Sequence, residues 1–367
     1  MKIALVHDYL VQYGGAERVL EAFCEMFPNA PIYTMVYDEK LTNGAFKGHK
    51  VHTSFLQRIP LVSSHHRAYP LLMPIAIEQF DLSTYDIVLS DSNSFAKGVL
   101  TNPDTLHITY CHTPMRYAWD NCHRHIREFK YSKITKKLLP FGINYLRLWD
   151  KISSDRPDAY IANSRFVASR IKKYYDKEST VINPPVSSDN FKISDKIKDY
   201  YLIVGRALPY KRFDIVIAAF NELGLPLKII GKGPEIEKLK KMAQKNIEFL
   251  GYLDDQKTSE YYSRCKALIF PSEEDFGITP LEAMASGRPV IAYEGGGAVE
   301  TVINDETGIF FREQSSASVM EAVKRFDQKK FNPEKVRRHA LEFDQNIFKK
   351  KMNDFINKEY ENFKNNR

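Results

Sequence analysis

PSEEDFGITPLEAMASGRPVI, residues 271–291, brings three carboxylates, Glu273, Glu274 and Asp275, into a turn that leads through Gly277 to a helical pattern and a strand. Part of the stretch has a local explanation. Thr279 reads as a helix cap, Pro280 suits the first helical position, and Glu282 completes a T-x-x-E capping box. ALIFPS before the turn and RPVIAYE after it are short apolar, β-branched runs, so the order is strand, acidic turn, helix, strand. Glu274 has no part in that local logic. A carboxylate at the exit of a strand calls for another partner.

The same alternation runs along the whole chain. KIALVHDY, PIYTMVY, YDIVLSDS, LHITYCHT, AYIANS and STVINPP read as strands in the first half, and AERVLEAFCEMF as a helix with one apolar face. In the second half YYLIVGR, LKIIGKG, IEFLGYL, ALIFPS, RPVIAYE and TGIFF alternate with helical patterns such as FDIVIAAFNELG and SVMEAVKRF. Strand, helix, strand repeated twice over implies an α/β fold with two parallel sheets wrapped by helices. A length of 367 residues also favours two domains, because single cores rarely grow past ~250 to 300 residues. The break falls in NPPVSSDNFKISDKIKD, residues 183–199, where prolines, serines and charges replace apolar periodicity. The expected domains are 1–185, joined by a C-terminal helix at 344–367, and 186–343. Ligands of such sheets sit at the carboxyl ends of the strands, so two facing domains place the site in the cleft between them.

Composition narrows the function classes. No apolar run approaches the ~18 residues of a membrane span, and His7 and Asp8 interrupt the apolar N-terminus too early for a secretory signal, so the expected location is cytoplasmic. Cys24, Cys111, Cys122 and Cys265 show no regular framework, which fits a reducing compartment. Cys111, His112, Cys122, His123 and His125 lie near one another in sequence but lack C-x-x-C spacing, and no metal site is expected. The net charge of +7 is concentrated: nine basic and three acidic residues lie between His123 and Arg156, among many aromatic and aliphatic ones. That mixture suits an anionic membrane surface, or equally a solvated helix pair packed on its own domain. No nucleic-acid-binding motif accompanies the charge.

Three glycine turns and two cations supply the candidate chemistry. Gly14 and Gly15 stand between the first strand and its helix, where backbone N–H groups can meet an anion. G-x-G-x-x-G and the Walker pattern are both missing, which argues against a nicotinamide or P-loop nucleotide site. VGRALPYKRFD places Arg206 beyond a strand and Lys211 at the next helix start, where cations oppose the macrodipole and require an anion; a diphosphate fits. GKGPE with Gly231 and GGGAVE at 295–300 are further turns of this kind. Sugar hydroxyls donate to ionised carboxylates, so Glu274 and Glu282 are suited to grip a hexose and a ribose, with the Phe276, Gly277 and Ile278 backbone facing the sugar. Glu282 reads equally as a simple cap.

GGAE at 14–17, GRALPYK at 205–211, GKGPE at 231–235 and PSEEDFGITPLEAMASGRPVI together resemble the retaining glycosyltransferases of family 4 across essentially the whole chain. The resemblance implies the GT-B architecture, two facing Rossmann-like domains with an inter-domain cleft. It implies that Arg206 and Lys211 bind the donor diphosphate, Glu282 the ribose and Glu274 the transferred sugar. It also implies that Tyr252 lies near the nucleobase and His112 near the sugar. HTPMRYAWD is similar to bacterial mannosyltransferases that build surface polysaccharide, which implies GDP-mannose as donor and a glycan or lipid-linked acceptor, with Arg116, Tyr117 and Trp119 on the acceptor side. It further implies front-face displacement, and the sequence has no D-x-D for a metal-bound diphosphate. Asp275 and Arg212 stand where the family commonly has glycine. A membrane-docked nucleotide-sugar sensor and a sugar-nucleotide epimerase are the competing readings.

Overall fold

The computed structural model describes residues 1–120, 122 and 133–366, which form two compact units. The first comprises Met1–Asn183 with Phe348–Arg367, and the second Pro184–Ile347. In the first unit the strands are β1 (Ile3–His7), β2 (Ile32–Thr34), β3 (Val51–Thr53), β4 (Ile87–Ser92), β5 (Leu106–Cys111), β6 (Ala159–Ala162) and β7 (Thr180–Val181). They form one parallel sheet in the order β3-β2-β1-β4-β5-β6-β7. Sequence pattern alone had not revealed β3, a three-residue edge strand that packs Val51 against the core.

Every residue of β1, β4 and β5 is buried, as expected where both faces of a parallel sheet are covered. Successive side chains enter opposite layers. Ile3 and Leu5 pack with Leu89, Ile108 and helix Gly15–Met26, whereas Ala4 and Val6 pack with Val88, Phe95 and Trp149. The C-terminal helix Gln345–Asn365 adds Phe348, Met352 and Ile356 to the first layer, at the i, i+4, i+8 spacing of one helix face. Phe348 stacks on Phe23 at 5.7 Å.

On the other layer, helix Lys133–Ser153 is anchored by buried charge. Lys97 donates to Asp150 at 2.5 Å, and Trp119 and Tyr175 donate to the other Asp150 oxygen at 2.7 and 2.9 Å. Lys97, Asp150 and Tyr175 are buried, and with the half-buried Trp119 these four groups satisfy one another.

The second unit holds β8 (Tyr201–Val204), β9 (Leu227–Ile230), β10 (Ile247–Gly251), β11 (Leu268–Phe270), β12 (Val290–Tyr293) and β13 (Gly308–Phe311), again all parallel, in the order β10-β9-β8-β11-β12-β13. In both sheets the order reverses beside the first strand, between β1 and β4 and between β8 and β11. Crevices for ligands open at such reversals.

The unit boundaries fall at 183/184 and 347/348 rather than at 185/186 and 343/344. The cause is a local clasp. Val186 donates its N–H to Phe343 and accepts from Gln345, while Ser188 donates to Asp344 at 2.5 Å, so the last helix begins in the second unit before its apolar face joins the first.

Candidate functional site

In the second unit the carboxyl end of β8 leads through Gly205 and the exposed Arg206 into the turn Pro209–Lys211 and helix Phe213–Leu223. Lys211 and Glu274, 63 residues apart, meet in an ion pair, and Ser272 donates to the same Glu274 oxygen at 2.9 Å. A protein carboxylate thus supplies the anion that the sequence required beside Lys211. Arg212 is neutralised in the same way by Asp214, at 3.1 Å. Its φ of +53° explains why glycine suits this position.

The acidic turn is held by the third glycine run. Gly297 donates to the Glu274 carbonyl at 2.8 Å, and a Cβ on Gly296 would lie 2.3 Å from that oxygen. Gly297 packs as tightly on Phe276. These glycines therefore act through close backbone packing. Gly231 behaves likewise: its N–H goes to Gly251 at 2.7 Å, and a Cβ would fall 1.8 Å from the Gly205 carbonyl.

Between the loops after β9 and β10 lies a cavity of about 460 Å³ lined by Gly231, Lys232, Gly233, Lys240, Phe249 and Gly251 among others. Tyr252 follows it, 59% exposed, with the Lys232 ammonium 5.2 Å from its ring centroid. Glu237 also lines the groove and pairs with Lys240 at 3.1 Å; an exposed aromatic beside such a groove can accept a flat ring by stacking.

The capping box is not formed. Helix Ile278–Ala285 starts at Gly277, whose φ is +88°, with no side-chain cap, so Thr279 and Glu282 already lie inside it. Glu282 is buried instead and accepts from the Tyr262 hydroxyl at 2.9 Å. Phe276 is buried, while Gly277 and Ile278 remain half-buried.

The first unit carries a second polar constellation at its sheet reversal. His7 ends β1, Asp91 lies opposite it on β4, and His112 follows β5. His7 Nδ1 pairs with Asp91 at 2.8 Å and His112 Nε2 pairs with the other Asp91 oxygen at 2.6 Å. Glu17 Oε1 lies 3.9 Å from His7 Nε2, and its Oε2 accepts the Gly14 N–H at 2.9 Å. That N–H was a candidate for meeting an anion and is committed to Glu17; Gly15 opens the helix.

Burial works against a charge on His7, but Asp91 and Glu17 outweigh it and raise its pKa to about 10. Burial likewise opposes ionisation of Asp91, yet His112 and His7 hold it below the usual carboxylate range. Neighbouring Asp8 accepts four backbone N–H groups, from residues 93 to 96, at 2.6–2.9 Å and fixes the loop after β4. Glu17, His7 and Asp91 escaped the sequence reading as site residues. For His7 and Asp91 the available signal was ionisable residues closing apolar strands; Glu17 lies in helix Gly15–Met26 and carried no such signal.

Arg116, Tyr117 and Trp119 lie half-buried after β5. Trp119 stacks on Tyr174 at 4.8 Å as well as bonding Asp150, so it braces the helix Lys133–Ser153. Of the basic segment from His123 to Arg156, residues 123–132 lie outside the described residues, as do His123 and His125 of the considered metal cluster.

Two parallel α/β units of this topology are the fold of GT-B glycosyltransferases. The chain belongs to that class: residues 13–190 match Glycosyltransferase Family 4 and residues 188–342 match Glycosyl transferases group 1. It is similar to O-antigen chain mannosyltransferase C of Escherichia coli, 29% identical over 53% of this chain and 55% of that protein. It also resembles alpha-1,3/1,6-mannosyltransferase ALG2 of Rhizomucor pusillus, 23% identical over 95% of this chain and 88% of the relative. The chain spans about half the length of the first curated relatives it matches. Among solved structures, Anabaena HepE in complex with UDP and glucose shares the fold, with a TM-score of 0.72, 16% identity and coverage of 97% of this chain and 99% of that one.

The His7 pair has a signature in pH. Because folding raises the His7 pKa from about 6.5 to about 10, its stabilisation is complete below the lower value and lost as pH rises through the upper one. Urea unfolding of wild type and His7→Gln across this range should show a stability gap that is widest at low pH and narrows toward pH 10. A constant gap would contradict the assignment.

Proposed function

We propose that the chain is a metal-independent, retaining mannosyltransferase that moves mannose from GDP-mannose onto a lipid-linked or polysaccharide acceptor. The observation that carries the reading is the meeting of Lys211 and Glu274 at the carboxyl edge of the second sheet, where Arg206 also follows β8. The mannosyltransferase relatives support the choice of sugar.

In this reading the donor diphosphate takes Arg206 and Lys211, whose positive charges stabilise the negative charge growing on the departing phosphate. Glu274 then accepts sugar hydroxyls, and the backbone of Phe276, Gly277 and Ile278 bounds the sugar. Glu282, held by Tyr262, takes the ribose, and Tyr252 with the groove beside Gly231 takes the base. His112 and the glycine loop at Gly14 and Gly15 serve the transferred sugar, and Arg116 and Tyr117 the acceptor. The departing phosphate oxygen receives the acceptor proton on the same face from which the sugar leaves, so configuration is retained. Protein groups contribute chiefly orientation and fixed charge.

The acceptor side of the reading includes an anionic membrane. Among the described residues no helix is long and apolar enough to cross a bilayer. Helix Lys133–Ser153 instead exposes Phe141, Tyr145, Leu148 and Ile152, spaced by four, three and four residues along one face. Leu71, also exposed, adjoins this helix at Gly142. Such a stripe can enter the headgroup boundary without spanning it.

Two experiments test these assignments. Lys211→Ala should lower turnover with GDP-mannose and a lipid-linked acceptor by ~10² to 10³; turnover near wild type would remove Lys211 from the mechanism. Donor altered without acceptor would point to an epimerase, and binding without turnover to a sensor. Replacing Phe141, Leu148 and Ile152 by Ser should weaken co-sedimentation with phosphatidylglycerol vesicles by roughly tenfold or more, whereas undiminished binding would remove this helix from the membrane.

A further inference from the structure

The mechanism above uses His112 but leaves His7, Asp91 and Glu17 unassigned. All four are buried, with Asp91 at 0% and His7 at 1% exposure. A row of ionisable side chains in a sheet interior is a poor source of stability, because apolar residues of similar volume would avoid the desolvation cost. The fold therefore has little reason to keep it there. Its geometry gives another.

Asp91 uses both carboxylate oxygens, one on each histidine. A carboxylate accepts, so His112 must present Nε2–H to it, and the neutral ring then carries its lone pair on Nδ1. The backbone on either side of the ring is fixed as well: the His112 N–H donates to Ser92 at 2.9 Å and its carbonyl accepts from Asn163 at 3.0 Å. Behind Asp91, His7 is held by Glu17, and Glu17 is tied to Gly14. The other titratable groups around Asp91 are Cys24 on helix Gly15–Met26 and Tyr110 on β5, both buried, and burial keeps both in their neutral forms well past neutral pH. Asp8, next to His7 in the chain, is engaged with the backbone of the loop after β4.

We propose that Asp91, backed by His7 and Glu17, is a positioning residue for His112, holding Nε2–H toward its own carboxylate and leaving Nδ1 to accept a hydrogen bond from a hydroxyl of the transferred sugar. The inference rests on the assignment of His112 to that sugar. It predicts that Asp91 acts on transfer through His112 alone. An amide in its place offers either an oxygen or an NH2 group to the ring, so the tautomer preference should vanish.

The test is ¹⁵N NMR of the full chain with labelled histidine, with the His112 signals assigned by their loss in His112→Gln. Wild type is expected to show the neutral ring as a single Nε2–H tautomer, and Asp91→Asn a mixture or the opposite one. The spectrum needs no donor, so it reads the relay even if the chain transfers no sugar. In transfer assays Asp91→Asn should lower kcat by ~10² through misplacement, leave donor KM within roughly threefold, and cost less than about twofold in a His112→Gln background. An unchanged tautomer, or a loss of kcat that persists without His112, overturns the proposal. Should Asp91→Asn fail to fold, Asp91→Ala removes the acceptor from His112 Nε2–H and is expected to give a tautomer mixture; a single Nε2–H tautomer there overturns the relay.

Discussion

The contact between Lys211 and Glu274 is the constraint on which the second unit is arranged. A lysine at the start of a helix faces the positive end of the backbone dipole, an unfavourable position without an anion. Glu274 supplies it from a turn 63 residues away. That turn reaches Lys211 only because Ser272 fixes the carboxylate and Gly296 and Gly297 lie against the turn's backbone with no room for a side chain. Both partners retain some exposure, 15% and 19%, so the pair adds little net stability while setting a precise arrangement of charge. An entering diphosphate would find the cation already in place, and the reorganisation that a free lysine would require is avoided.

The first unit solves a related problem by burial. Its sheet reversal lies between β1 and β4, and the residues at that edge are His7 and Asp91, with His112 just past β5. Here charge is balanced within the protein, through alternating acid and base from Glu17 to His112. The two units thus share topology but differ electrostatically. One presents cations and a carboxylate at a partly open edge, the other a buried row of ion pairs and hydrogen bonds that orients a single imidazole.

Strand and helix alternation made the two parallel sheets readable in the sequence because buried parallel strands are short, apolar and β-branched, and their connections are helical. Edge strand β3 carried no such signal, being three half-buried residues. The capping box at Thr279 failed for a different reason: Gly277 adopts a left-handed conformation that starts the helix before Thr279, and no side-chain pattern records that choice. The motif at 271–291 did single out Glu274, but not its link to Lys211, since distance along the chain hides a meeting of two loop ends. His7 and Asp91 looked only like interruptions of apolar runs. Their roles emerge from the register of β1 on β4, which sequence pattern does not specify.

The most direct test of the account is calorimetric unfolding of the full chain with GDP, GDP-mannose, UDP, UDP-glucose or NAD, each in the presence of a chelator. A ligand at 100 times its Kd adds ~2.7 kcal/mol to the state that binds it, which shifts the midpoint by several degrees. The account predicts a selective shift with GDP and GDP-mannose. Stabilisation by the uridine nucleotides instead would contradict the mannosyl donor, and stabilisation by NAD alone would contradict a nucleotide-sugar site altogether.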